Sequence, residues 1–336
     1  MNFDLTDDQR AIQRTARDFL AAGYKPEEIR RLAYETDRGF TDEGWQRICE
    51  LGWPALLVDE EHGGLGLGVV ELVVVQEELG AALAPSPFLS TIAAAALIAD
   101  AGSDEQRARW LPGLAAGEAR GTVATLRDGD GWAAVPDADG ADVVVLRDGD
   151  GWAVADGTGV SAEPAQALDP TRRLWSIEVG GEREPLPGDG ARAADVIAVA
   201  LAAESVGVAQ RTLDMAVAYA KEREQFGRPI GAYQAVSHAC AQMLLEVVGA
   251  RSTTLYAAWA LDHEPESGPL AASMAKAYAS DAGWRVPAAA LQVHGGIGFT
   301  WEHDLHLWLK RGKANAYLWG DAGEHRARVA QLIGLE

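Results

Sequence analysis

At 336 residues the chain has room for two or three domains, and 48% hydrophobic against 24% charged residues suits a folded protein with a sizeable core. Asp and Glu number 50 against 29 Lys and Arg, a net charge of −21, which argues against nucleic acid or an anionic membrane as the main partner, because phosphate binding needs a basic surface. Two cysteines, Cys49 and Cys240, supply neither a disulfide framework nor a metal-ligand cluster.

Three regions follow one another: residues 1–118, 119–190 and 191–336. The first reads as helices. LTDDQRAIQRTARDFL has a Thr cap, acids in its first turn and apolar residues at helical spacing. TDEGWQRICELG repeats the plan with Thr41 as cap and Gly52 just past the end. VVELVVVQEELGAAL begins like a strand, but its acidic pairs suit one face of a helix. SPFLSTIAAAALIADAG and SDEQRARWLPGLAAG add two more, the second capped by Ser103 and broken at Pro112. The opening MNFDLTDDQRAIQ is acidic where a leader would be basic, and the most apolar run is too short to span a bilayer. A cytoplasmic location is therefore expected.

In the second region Gly, Asp and Pro punctuate short β-branched runs, as in a small antiparallel sheet or barrel. LRDGDGWA occurs twice, at Leu126–Ala133 and Leu146–Ala153, and its Asp-Gly-Asp-Gly core predicts two similar hairpins. From Ala191 the chain is helical again. One long Ala-rich segment, apolar nearly all round, is followed by three more helical patterns and a short last one, which predicts an antiparallel four-helix bundle. The expected fold is mostly α with a small β domain.

Between the first two bundle helices lies REQFGRPIGAYQ. Arg223 ends a helix beside a turn, where a guanidinium can grip a pyrophosphate with two parallel hydrogen bonds. Phe226 offers an apolar face and Gln234 an amide. Further on, Gln292 precedes Gly295 and Gly296, whose backbone a ligand can approach without meeting a Cβ. Taken singly, an Arg at a helix end is a solvated charge and Gly-Gly a helix cap.

In their order, AKEREQFGRPIGAYQAVSH and LQVHGGIGFTWEHDLHLWLKR resemble the two C-terminal signatures of the acyl-CoA dehydrogenases, and FDLTDDQRAIQRTARDFL is similar to that family's N-terminal helix. The resemblance implies an N-terminal helical domain, a middle β domain, a C-terminal four-helix bundle and a bound FAD. It also implies that Arg223, Phe226, Gln234, Gln292, Gly295 and Gly296 hold that FAD, largely on a neighbouring subunit.

The chain departs from the family where chemistry is done. Gly320 stands where the family most often places the Glu that removes the α-proton of the thioester, with Asp321 next to it. At the alternative position stands Ile197, followed by Ala198. The flavin-cradling loops of the middle domain are missing, with VPDA as a remnant of one. No catalytic residue is therefore expected here, and the pattern resembles the shortened subunit of α2β2 acyl-CoA dehydrogenases, in which a second subunit supplies cradle and base. A bulky acyl-CoA such as a steroid side chain is the substrate implied. Two other readings stay open: a self-sufficient enzyme using Asp321 as base, and a non-catalytic relative that binds acyl-CoA or a partner. His303 and His306, three apart in WEHDLHLWLK, lack further ligands of metal-site spacing, so no metal is expected.

Overall fold

A computed structural model describes residues 4–335, so Phe3 of the opening stretch lies outside the described residues. Two compact units divide the chain: one takes Ile29–Leu72 and Pro85–Ile197, the other the chain up to Glu28, Val73–Ala84 and the chain from Ala198 onward. The helices are α1 (Asp7–Gly23), α2 (Pro26–Glu35), α3 (Asp42–Glu50), α4 (Val69–Ala82), α5 (Phe88–Ala101), α6 (Asp104–Ala116), α7 (Ala191–Glu222), α8 (Gln234–His263), α9 (Gly268–His294), α10 (Leu305–Asn315) and α11 (Ala322–Leu332).

Local chemistry sets the helix ends. Thr6 and Gln9 form a reciprocal cap at α1, as do Ser103 and Gln106 at α6, and the Thr41 hydroxyl accepts from Gly44 N at α3. Helix α2 escapes the sequence reading; Pro26 starts it, and Ile29, Leu32 and Ala33 form its buried face. Pro112 does not break α6, which runs on to Ala116. Pro112 and Ala108 are both exposed, so the carbonyl that loses its hydrogen-bond donor faces water and the cost of an interior proline is softened.

In the first unit the strands are β1 (Gly121–Ala124), β2 (Leu126–Asp128), β3 (Gly131–Pro136), β4 (Val143–Asp148), β5 (Gly151–Asp156), β6 (Val160–Ala165), β7 (Leu174–Val179) and β8 (Glu184–Leu186). They form two four-stranded sheets, ordered β1-β4-β5-β8 and β2-β3-β7-β6. All pairs are antiparallel except β1 with β4, where the expected antiparallel sheet gives way to one parallel ladder. Trp132, Val135, Val144, Leu146, Trp175 and Ile177 fill a common core. The repeat forms the two hairpins expected of it: Asp128 faces Gly131 and Asp148 faces Gly151 across two-residue turns. Gly129 and Gly149 take the positive φ, +57° and +61°, that such turns demand. The copies lie in different sheets, and Trp132 Nε1 donates to Arg147 O at 3.1 Å to link them.

In the second unit α7–α10 make the bundle. A Cβ on Gly249 would meet Tyr278, and one on Gly268 would meet Leu261, so α8 and α9 run antiparallel. Leu213, Met243, Val247, Val286, Leu291 and Leu305 bring α7, α8, α9 and α10 into one core. Among them a buried Glu204 carboxylate accepts from Arg311 Nη1 at 2.6 Å and Asn315 Nδ2 at 2.9 Å, which pins α7 to α10. Arg251 of α8 pairs with Glu77 of α4 at 2.7 Å, and Arg17 of α1 with Glu78 at 2.7 Å. Helix α7 is long and apolar enough to cross a bilayer, but 89% of its most apolar window is buried inside the fold, as befits a core helix.

Candidate cofactor-binding site

Arg223 follows the last residue of α7, its amide donating back to Tyr219 O at 2.8 Å, and its side chain lies in solvent. The chain then folds into a small hairpin, β9 (Glu224–Gln225) and β10 (Arg228–Pro229). Its turn falls at Phe226–Gly227, with φ of +52° and +78°. Phe226 is a bulky residue in left-handed backbone, and its ring is 93% exposed. Strain and exposure together at an aromatic residue point to function. Tyr233 braces the hairpin: its hydroxyl donates to Gln225 O at 3.0 Å, Arg228 lies over its ring at 4.1 Å, and Phe226 meets it edge-on. Gln234, the first residue of α8, is exposed next to it.

The second segment arrives at the same end of the bundle. Tyr219, one turn before Arg223, stacks on His294 with ring centroids 4.5 Å apart. His294 lies buried between Gln292 and Gly295, anchored to Ala290 O at 2.8 Å, and packs in turn on His303 at 4.5 Å. This stack brings the two signature segments together, and no residue expected to bind the cofactor is part of it. Gln292 and Gly296 are exposed, Gly295 has φ +60° and ψ −137°, and a Cβ on either glycine would meet nothing within 4 Å. The expected residues thus form an outward lip, five of them exposed and Gly295 half-buried, with open space before the glycines. The two histidines raised as metal ligands are used locally: His303 Nδ1 accepts from Leu305 N at 3.2 Å, and His306 Nδ1 hydrogen-bonds to His303 O at 2.9 Å.

The segment between α10 and α11 is built differently. Trp319 and Gly320 both have left-handed φ, +61° and +87°. A Cβ on Gly320 would come within 3.1 Å of His325 Nε2 and 3.3 Å of Glu324 Oε2, and His325 Nε2 donates to Trp319 O at 2.9 Å. Beneath the turn, the buried Lys276 Nζ donates to Ser280 Oγ, Asn315 O and Gly320 O at 2.9, 3.1 and 2.9 Å. Burial brings this lysine down to about 8, against the smaller opposing pull of Asp321 and Glu324. Asp321 caps α11: its Oδ1 accepts from Gly323 N at 2.7 Å and Glu324 N at 2.9 Å, while Glu324 Oε2 accepts from Asp321 N at 2.8 Å. The Glu324 and Gly323 amides hold its carboxyl below the usual range. An acid so engaged is a poor proton acceptor. Ile197 and Ala198, at the alternative base position, are buried apolar residues of α7.

A bundle ending in this lip, with two flanking signatures and a β region between helical segments, defines an acyl-CoA dehydrogenase framework. The chain belongs to the acyl-CoA dehydrogenase family: the family's N-terminal domain matches residues 6–118 and its C-terminal domain residues 192–334. The family's enzymes are flavin-dependent oxidoreductases. Acyl-CoA dehydrogenase IpdE2 of Mycobacterium tuberculosis is 39% identical over 93% of each chain, and IpdE2 of Mycolicibacterium smegmatis 35% identical over 97% of this chain and 98% of its own. Among solved structures, a variant of the Tcur3481–Tcur3483 steroid acyl-CoA dehydrogenase superposes with a TM-score of 0.88 at 30% identity, covering 97% of this chain and 98% of that one. The ChsE4–ChsE5 complex of M. tuberculosis gives 0.91 at 25% identity over the whole of both chains.

Proposed function

We propose that this chain is one subunit of a flavin-dependent acyl-CoA dehydrogenase that desaturates the α,β bond of an acyl-CoA thioester. In this reading Arg223, Phe226, Gln234, Gln292, Gly295 and Gly296 are lent to an FAD seated mainly on a partner subunit of the same family, in an α2β2 assembly. The outward lip carries the proposal: five residues suited to a dinucleotide face solvent beside the half-buried Gly295, and the glycine turn has open space before it. The donor set fits the group, with Arg223 for the pyrophosphate, the Phe226 ring for an apolar surface, and the amides of Gln234 and Gln292 for polar edges. A bound flavin supplies the acceptor for the hydride leaving the β-carbon. The α-proton goes to a partner carboxylate in this reading, since Asp321 is spent as a helix cap and Gly320, Ile197 and Ala198 offer no base.

A bulky steroid-derived acyl group is the proposed substrate class, supported by the likeness to the steroid acyl-CoA dehydrogenase named above. The division at 1–118, 119–190 and 191–336 is supported by the two family matches and by strands running from Gly121 to Leu186 between them. The proposed location is the cytoplasm, in keeping with two free thiols, Cys49 and Cys240.

The test is the visible spectrum of the purified chain. Alone it is expected to be colourless; co-expressed with the product of an adjacent dehydrogenase gene it is expected to be yellow and to reduce an electron acceptor with acyl-CoA. A yellow, active chain purified alone would overturn the proposal.

A further inference from the structure

We infer that His294 and Tyr219 are positioning residues for the flavin lip, sitting behind it and holding its two halves at a fixed spacing. This rests on the flavin-lending reading above. Arg223, Phe226 and Gln234 lie at the joint between α7 and α8, whereas Gln292, Gly295 and Gly296 lie at the C-terminal end of α9. Two segments that grip one ligand have to be held to within about 0.5 Å of each other's proper place.

His294 is built to do this. It lies between Gln292 and Gly295 and is only 4% exposed. A carbonyl can only accept, so Nδ1 carries a proton and donates to Ala290 O at 2.8 Å, which sets the rotation of the ring. The ring meets that of Tyr219 nearly parallel, at 21° with centroids 4.5 Å apart. His303 packs on it as well, tilted by 58° at 4.5 Å. His303 is itself fixed, its Nδ1 accepting from Leu305 N at the start of α10. The glycine turn winds round the same residue: a Cβ on Gly298 would come within 3.0 Å of His294 Cβ and of Leu291 O, so the turn closes this tightly only because glycine stands there.

Tyr219 carries the arrangement across to α7. Its carbonyl accepts from Arg223 N at 2.8 Å, so the ring that stacks on His294 and the backbone that launches Arg223 belong to one residue. An aliphatic side chain at 294 would fill the same space without a flat face or an anchored rotation. Bulk alone would pack here; an aromatic ring with a donor also orients its neighbours.

Flavin retention by the full chain co-purified with its flavin-carrying partner tests this, read from bound-flavin absorbance after dialysis. His294→Leu is expected to weaken retention about tenfold, with the far-UV circular dichroism unchanged. His294→Phe keeps a flat ring and is expected to recover most of that loss. Tyr219→Leu, at the half-buried side of the stack, carries the same expectation as His294→Leu should that variant fail to fold. A role in stability alone predicts independent losses; in an Arg223→Ala background, His294→Leu is instead expected to cost clearly less than about tenfold, because a residue it positions is gone. Wild-type retention by a folded His294→Leu or Tyr219→Leu chain overturns the inference. So does a His294→Phe chain no better than His294→Leu, or a loss that simply multiplies with that of Arg223→Ala. Should Arg223→Ala and Gln292→Ala both leave retention unchanged, the flavin-lending reading fails and the positioning role with it. Should they weaken it while His294→Leu does not, the positioning role fails alone.

Discussion

The lip of the bundle and the turn between α10 and α11 make opposite use of left-handed backbone. At Phe226–Gly227 it pushes an aromatic ring almost wholly into solvent, braced by Tyr233 but covered by nothing in this chain. At Trp319–Gly320 it closes a turn that Lys276 holds from beneath, His325 holds from the side and Asp321 continues as a helix cap. The first turn leaves its side chains open to solvent. The second is tied into the fold, and the groups around it are engaged with one another.

The sharpest way to break this contrast is to attack the closed side. Glu204→Ala leaves Arg311 buried without its carboxylate, and a loss of about 3–5 kcal/mol in unfolding free energy is expected by urea titration. A loss no larger than a surface mutation gives would mean that the α7–α10 join is not what holds this end of the bundle. On the open side, Arg223→Ala is expected to leave stability unchanged. It should weaken flavin retention by the assembled enzyme about ten- to a hundredfold, as removal of a charge-assisted contact does, read from bound-flavin absorbance after dialysis. Unaltered retention would remove Arg223 from the lip.

Lys276 sharpens the contrast through pH. Its value falls from 10.5 in the unfolded chain to about 8 in the fold, so between these limits the unfolded state binds more protons. Stability from this group therefore rises with pH across that window, by roughly 1 kcal/mol per pH unit near its middle. Lys276→Met should remove the slope; unfolding curves from pH 7.5 to 10 for both proteins check it. The smallest effect is expected of Asp321→Asn. Asn is as good a helix cap, so stability and the activity of the assembled enzyme should both stay close to wild type. A large fall in activity with the fold intact would restore Asp321 as a base.

Much of this was legible in one dimension. Thr6, Thr41 and Ser103 announce their helices because a cap is satisfied within three residues. The repeated LRDGDGWA announces its hairpins for the same local reason. Helix α2 lies between Pro26 at its start and a turn at Gly39, with no side-chain cap to announce it, and only Ile29, Leu32 and Ala33 mark its helical stripe. Pro112 was misread because its cost depends on whether the freed carbonyl faces water or protein, which is not written locally.

By itself the sequence determined what depends on near neighbours: helix ends, turn chemistry, the order of helical and β regions, and the motif residues that a family resemblance could mark. Only the tertiary structure decided which of them meet and which stay exposed. Tyr219 and His294 are 75 positions apart and Glu204 and Arg311 are 107 apart. Nothing in the spacing of either pair predicts a stack or a buried ion pair, because such contacts arise from packing whole helices. The same packing left Phe226 in water and sealed Lys276 from it, and burial, unlike residue type, is a property of the folded chain alone.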